Sequence, residues 1–148
     1  MNKCLICNMT IQTTIVSLLS EKTFVCFDCL NKFELLFKKE KILNVEVLFL
    51  YKYNDFFKDL LYRYKGVGDF SLKNCFLNQY DSFFNRKYRK RTILLAPSSK
   101  KSIEERGFNH LEEIFKQTKL KICKVFFKKE EWKQSNKSLK EREKVYNY

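Results

Sequence analysis

The chain has 148 residues, with 30 Lys and Arg against 17 Asp and Glu, which gives a formal net charge of +13. Its 45% hydrophobic and 16% aromatic residues are typical of a packed globular protein and exclude a disordered basic tail. Three glycines are too few for the glycine-rich loops that cradle phosphates in nucleotide enzymes. The charge favours a polyanionic partner, nucleic acid first and an anionic membrane surface second, with a merely lysine-rich surface as the alternative.

The sequence predicts no secretion signal and no membrane span. Its longest apolar run, residues 42–51, is about half the ~20 residues of a spanning helix and is interrupted by Asn44 and Glu46. The N-terminal residues lack the basic region and the uninterrupted apolar core of a signal peptide. We therefore expect a cytoplasmic protein without membrane insertion, in which cysteines are metal ligands or buried thiols rather than disulfides.

The N-terminal cysteines have the spacing of a four-thiolate zinc site. Cys4 and Cys7 form one C-x2-C pair, and Cys26 and Cys29 form a second after eighteen intervening residues. Each pair places two sulfurs on one turn, and two pairs complete a tetrahedron around Zn²⁺ with no open position, which favours a structural role. The intervening stretch alternates like a short β-hairpin, so a zinc ribbon is predicted. Four unrelated buried cysteines and a redox C-x2-C pair are the alternatives.

The residues after the second cysteine pair predict a helix and then a strand. The helix begins near Asp28, on the spacing of its apolar residues, and ends in a linker over residues 38–41. Residues 45–51 follow as a largely buried strand. We therefore divide the chain into a zinc-ribbon module with its following helix, residues 1–40, and a second domain, residues 41–148.

The second domain alternates helices with strands. The pattern predicts a helix capped by Asn54 or Asp55 and stopped at Gly66 to Gly68, a helix over residues 69–85, a strand over 92–96, a helix over 102–118 and a strand over 120–127. Because each crossover must carry the chain back across the sheet, this order predicts an α/β fold with a parallel sheet.

A candidate ligand loop follows the predicted strand over residues 92–96, because ligands of open α/β sheets bind beyond the carboxyl ends of the strands. Residues 97–110 offer hydroxyls that include Ser98, lysines near a helix start, and Arg106 beside Gly107, which together suit a phosphate. An ordinary solvated loop with a capped helix is the alternative. A triad-type hydrolase is set aside because His110 is the only histidine and neither Ser98 nor Cys123 has a spacing that implicates it as a nucleophile partner.

A second candidate site is the basic run of residues 86–91. It consists of Arg86, Lys87, Tyr88, Arg89, Lys90 and Arg91. Its cations would contact nucleic-acid phosphates, and Tyr88, like Trp132 among lysines further on, could stack on bases. Each aromatic is also open to interpretation as a core or interface residue.

In combination, these motifs resemble the ComF/ComFC family of late-competence proteins of DNA uptake. The residues that carry the resemblance are the paired C-x2-C motifs, Tyr64-Lys65-Gly66 with Asp69, Ala96-Pro97, Arg106-Gly107-Phe108-Asn109, Gln134, and Glu141-Arg142. The resemblance implies an N-terminal zinc finger and a type I phosphoribosyltransferase-like domain. It further implies zinc on the four cysteines and single-stranded DNA and other competence proteins as partners.

The resemblance also implies a ligand cleft in the second domain. Residues Arg106, Gly107, Phe108 and Asn109 are expected at its loop, with Lys65, Gln134 and Arg142 near the same cleft. The sequence departs from the family pattern at His110, where the family usually has Gln, and at Val145, where Asn is expected.

The main departure is the loop that holds phosphoribosyl pyrophosphate in type I phosphoribosyltransferases, two acidic residues followed by Thr-Thr-Gly. No such cluster occurs in the 148 residues. We therefore expect a C-terminally truncated, incomplete domain that binds zinc and single-stranded DNA without a catalytic residue of its own. The alternative is a phosphoribosyltransferase acting on a nucleotide-related substrate, which would need Mg²⁺, phosphoribosyl pyrophosphate and the missing loop.

Overall fold

The computed structural model describes residues 3–11, 24–77, 80–126 and 128. It has a mixed α/β fold with two small sheets. In chain order the elements are α1 (Phe27–Asn31), β1 (Leu35–Ile42), β2 (Val45–Tyr51), α2 (Asp55–Tyr62), a π-helical turn (Arg63–Val67), a 3-10 helix (Phe70–Cys75), α3 (Asp81–Lys87), β3 (Thr92–Leu94), α4 (Lys100–Arg106), α5 (His110–Phe115) and β4 (Lys121–Cys123). No helix within the described ranges is long and apolar enough to cross a membrane.

The predicted helix from Asp28 is wrong beyond Asn31, and the predicted linker at residues 38–41 is wrong as well. Residues 35–42 form β1, which pairs antiparallel with β2. The hairpin turn places Leu43 and Asn44 at positive φ, 45° and 65°, as the turns that match strand twist require. The hydrogen bonds and contacts with β2 therefore stabilise a strand here, although the apolar residues have the spacing of a helix. β2 itself is confirmed as a strand, but it is only half-buried or exposed along its length.

A bulge in β1 turns one aromatic side chain towards α3. The register shifts between Leu35 and Lys38, and Phe37 within the bulge has a φ of 41°. Its ring stacks on Tyr80 at 5.4 Å and meets Phe83 edge-on at 5.0 Å. The bulge thus fixes the hairpin against α3, which carries the basic run.

Helix α2 is confirmed, with the cap that the sequence predicts. The side chain of Asn54 accepts a hydrogen bond from the backbone N–H of Phe57 at 2.9 Å and donates to the carbonyl of Lys32 at 3.2 Å. The helix continues through the π-helical turn and stops at Gly68, which is left-handed with a φ of 87°. The predicted helix over residues 69–85 is replaced by the 3-10 helix and the shorter α3.

The predicted helix over residues 102–118 is broken into α4 and α5. Gly107, with a φ of 82°, ends α4, and the side chain of Asn109 caps α5 by accepting from the backbone N–H of Glu112. The Arg106 to Asn109 motif is therefore the connection between two short helices. β3 and β4 are both shorter than predicted, and they pair in parallel across these helices, as the α/β pattern predicts.

One buried apolar cluster joins the cysteine segments to the rest of the chain. It contains Cys4, Val25, Cys29, Phe33, Leu60, Tyr64, Leu72, Cys75, Phe76, Leu77 and Ile114. β1 runs across residue 40, where the sequence suggests a domain boundary. The division into two domains stays a prediction.

The core position of Leu60 predicts a large loss of stability for Leu60→Ala. Its side chain is 1% exposed at the centre of the cluster, so truncation should lower the free energy of unfolding by about 2–5 kcal/mol. Guanidinium unfolding followed by circular dichroism measures this. Leu43→Ala is the control, because Leu43 is 93% exposed and its loss should stay within about 0.5 kcal/mol. Equal losses for the two variants would contradict the assigned core.

Candidate metal centre and basic surface

The four N-terminal cysteines converge as their spacing predicts. Their Sγ atoms all lie within 4.8 Å of one another, and those of Cys7 and Cys26 are 3.6 Å apart. Four thiolates at about 2.3 Å from a central zinc-sized ion would be about 3.8 Å apart at the corners of a tetrahedron. The observed spacing fits a metal ion at the centre of this cluster.

Local backbone geometry brings each pair of sulfurs onto one turn. The N–H of Cys4 donates to the carbonyl of Met9 at 2.8 Å, and the N–H of Asn8 donates back to the carbonyl of Cys4 at 2.9 Å. Asn8 closes this turn in the left-handed region, with a φ of 64°, which asparagine tolerates well. In the second pair, Cys26 precedes α1 and Cys29 lies within it, so the helix sets their separation.

The surroundings of the cluster act differently on its thiols. Burial opposes ionisation of Cys4, but backbone N–H groups of Cys26, Cys7 and Ile6 outweigh it and lower the pKa of Cys4 to about 6. Burial raises the pKa of Cys26 and that of Cys29, the latter helped by the neighbouring thiols. A bound divalent cation would offset the repulsion among the negative charges of four adjacent thiolates.

A single serine substitution in the cluster should abolish metal binding. After stripping with a chelator, the chain should take up one thiophilic divalent ion, and Cys29→Ser should take up much less than one because three thiolates remain. Atomic absorption gives the metal-to-protein ratio. Cys123→Ser is the matched control, because Cys123 lies in β4 outside the cluster. Full uptake by Cys29→Ser would argue against a four-cysteine site.

The Arg106 to Asn109 motif is organised around His110. Arg106 Nη1 donates to His110 Nδ1 at 2.9 Å, and Ser98 Oγ lies 3.3 Å from the same nitrogen. Burial, with the charges of Arg106 and Lys65 nearby, lowers the pKa of His110 to about 4. The imidazole is therefore neutral at pH 7, and because arginine can only donate, its Nδ1 is the acceptor.

A buried tyrosine contacts this motif from the side of the apolar core. Tyr64 donates its hydroxyl hydrogen to the backbone carbonyl of His110 at 2.9 Å, and its ring packs on Phe108 at 5.2 Å. Phe108 also meets Phe70 edge-on at 5.0 Å. These contacts hold the connection between α4 and α5 on the core.

Four of the predicted ligand residues line two clefts, while Gly107 and Phe108 line neither. Lys65 and Arg106 line one of about 530 Å³, together with the backbone around Gly66 and Gly68. Ser98 and Asn109 line the other, of about 320 Å³, beyond the carboxyl end of β3. The hydrogen bonds at His110 link the two clefts. Gln134 and Arg142, and likewise Trp132, lie outside the described residues.

The cations of the basic run lie exposed on α3 and the turn after it. Arg86, Lys87, Arg89, Lys90 and Arg91 are all exposed. No ion pair among the described residues involves any of them. The charge of this surface is therefore not neutralised within the described part of the chain.

Tyr88 differs from its basic neighbours because it is half-buried. Its ring packs on Phe84 at 5.7 Å and on Phe83 at 6.1 Å, with the ammonium of Lys87 over the ring at 5.8 Å. The interpretation as a packed residue therefore describes it better than a free stacking platform.

Sequence reasoning missed two features of these sites. It treated His110 as a departure from the family pattern without a serine partner, whereas both Ser98 and Arg106 contact its Nδ1. It also missed Lys119, which lines a cleft of about 610 Å³ with Ser82, Asn85, Arg86 and Arg89. No local signal identifies Lys119, because it is 34 residues from Asn85.

The chain is similar to curated proteins named Competence protein ComFC. The one from Streptococcus pneumoniae (strain ATCC BAA-255 / R6) is 29% identical over 167 aligned residues, which cover 95% of this chain and 75% of that protein. The one from Bacillus subtilis (strain 168) is 40% identical over 62 residues, which cover 40% of this chain and 26% of that protein. No protein-family model matches the chain, and no solved structure gives a significant match.

Proposed function

We propose that the chain, which is similar to two proteins named Competence protein ComFC, is a member of the ComF/ComFC family that acts in the cytoplasm, in competence, as a protein that binds zinc and single-stranded DNA. The names of its relatives support the competence-related role. We further propose that residues 1–40 form the zinc-ribbon module and residues 41–148 a phosphoribosyltransferase-like domain. This domain contains no acidic pair followed by Thr-Thr-Gly for phosphoribosyl pyrophosphate. Other competence proteins are its expected partners.

Zinc is the metal that the cysteine cluster suits best. Four thiolates in a tetrahedral arrangement select zinc over oxygen-seeking ions such as Mg²⁺. They also leave no open coordination position, so the ion has a structural role and supplies no catalytic water. In that role it holds the turn after Cys4 against α1, beside the core at Val25 and Phe33.

The unneutralised basic surface carries the proposal of DNA binding. Five exposed cations lie within residues 86–91 without an ion pair among the described residues, whereas Lys116 and Lys124 both pair with Glu112. Phosphates supply most of the affinity of single-stranded nucleic acids for such surfaces. The aromatic cluster of α3 beneath the cations makes their support rigid, which reduces the entropy lost on binding.

Salt titration tests the phosphate contacts. Binding of a fluorescent oligothymidine should weaken as salt rises, with a slope of log K against log salt that falls by about 0.7 for each phosphate contact removed. The triple variant Arg89→Ala, Lys90→Ala, Arg91→Ala should therefore bind more weakly, with a slope shallower by about 2. Fluorescence anisotropy at four or five salt concentrations gives both quantities.

The control for this titration removes the same charge elsewhere. Lys41, Lys58 and Lys101 are exposed and lie outside the basic run, so their triple alanine variant should keep a slope close to that of the unaltered chain. If the two triple variants had equal slopes, the basic run would not be the interface. A binding constant independent of salt would overturn the phosphate account.

Phosphoribosyl transfer is a second candidate, because Lys65 and Arg106 share a cleft and could bind an anionic ligand there, although Glu105 also lines it. The 148 residues contain no acidic pair followed by Thr-Thr-Gly to hold the ribose phosphate. We therefore expect that phosphoribosyl pyrophosphate with Mg²⁺ leaves the melting temperature of this chain unchanged, since a ligand stabilises only what it binds. A rise that disappears in Arg106→Ala would contradict this expectation and establish the cleft as a binding site.

A further inference from the structure

We infer that the cleft between α3 and the start of β4 is a phosphate-binding subsite of the DNA surface, with Lys119 as one of its cations. This cleft, called here the Lys119 cleft, is lined by Ser82, Asn85, Arg86, Arg89 and Lys119 and has a volume of about 610 Å³. The inference rests on the proposed function and deepens it. It adds to the basic run a cation from a distant part of the chain and a positioning residue, Asn85.

Asn85 fixes where Lys119 lies. Its side-chain Oδ1 accepts a hydrogen bond from the backbone N–H of Lys119 at 2.7 Å. Thr118, just before, is 7% exposed and donates its hydroxyl hydrogen to the carbonyl of Phe115 at 2.7 Å. The chain is therefore held at Thr118 and at the backbone N–H of Lys119, which places the Lys119 side chain beside α3.

The chemistry of the cleft suits a phosphate. Its lining holds two guanidinium groups, one ammonium, one hydroxyl and one carboxamide, and no carboxylate. Arginine matches phosphate oxygens with a planar fork of donors, and lysine adds a compact charge. No ion pair among the described residues uses Arg86, Arg89 or Lys119, so their charge is available to a ligand.

Positive charge continues beyond this cleft along α3. Lys87 follows Arg86 on α3 and lies close to Lys39 of β1, which is itself paired with Glu46 at 2.7 Å. The next phosphate of a strand that crosses the Lys119 cleft would therefore meet Lys87, which no ion pair among the described residues uses. A single inorganic anion needs no such extension, so a strand is the occupant that the surface favours.

The variant Lys119→Ala tests this inference, with Lys121→Ala as its matched control. Lys121 is two residues further on, exposed, and outside the cleft, so both variants lose one charge. With an oligothymidine as probe, Lys119→Ala should make the salt slope shallower by about 0.7, and Lys121→Ala should change it much less. Equal slopes for the two variants, while the unaltered chain binds, would overturn the inference and leave the proposed function intact.

Asn85→Ala tests the positioning role. It removes no charge, yet it should weaken binding because Lys119 is no longer held beside α3. In the double variant with Lys119→Ala it should add little, because two residues that act through one contact are not additive. Full additivity would overturn the role of Asn85. If Asn85→Ala fails to fold in a thermal melt, the exposed Lys119→Ala still decides the inference.

Two oligothymidines distinguish the source of the phosphate. One carries a 5′-hydroxyl and the other a 5′-phosphate. An equal effect of Lys119→Ala on both supports an internal phosphodiester, and a larger effect on the phosphorylated strand supports a terminal phosphomonoester. Failure of the unaltered chain to bind either strand would overturn the proposed function and this inference together, a result different from equal slopes with binding intact.

Discussion

The convergence of four cysteine sulfurs beside the apolar core is the constraint on which the remaining architecture depends. Cys4 and Cys29 are members of the same buried cluster as Leu60 and Tyr64. The N-terminal segment is also attached through Leu5, Ile6 and Ile11, which pack against this cluster, and through the hydrogen bond from Arg63 to the carbonyl of Ile6 at 3.1 Å. An ion bound by these sulfurs would also close one side of the core, and metal binding would then be coupled to folding.

Features encoded by neighbouring residues could be predicted from the sequence. Helix α2 follows from Asn54 as a cap and from apolar residues at helical spacing, both of which act within a few residues. The cysteine cluster follows from two C-x2-C pairs, because ligand spacing reflects the geometry of the ion rather than the rest of the fold. The parallel pair of β3 and β4 follows from the alternation of strands with helices.

Features that depend on distant partners could not be predicted. β1 has apolar residues at helical spacing, and only its partner β2 turns residues 35–42 into a strand. The break at Gly107 lies within an apolar pattern that continues through Phe108 and Leu111, so periodicity alone predicts one helix. Lys119 lies beside the basic run because its backbone N–H is bound by Asn85, and no sequence pattern around residue 85 or residue 119 predicts that contact.

Gly66 and Gly107 differ in what a larger residue at each position would require. A Cβ on Gly66 would lie 2.9 Å from the ring of Tyr62, a flexible and exposed side chain that can move aside. A Cβ on Gly107 would meet no described atom within 4 Å, yet its φ of 82° is one that side-chain-bearing residues rarely adopt. Evolution or protein engineering can therefore accommodate a larger residue at 66 by repacking one neighbour. At 107 there is no neighbour to repack, so a larger residue would have to change the backbone φ itself. That change would alter the distance between Arg106 and His110, which lie on either side of Gly107.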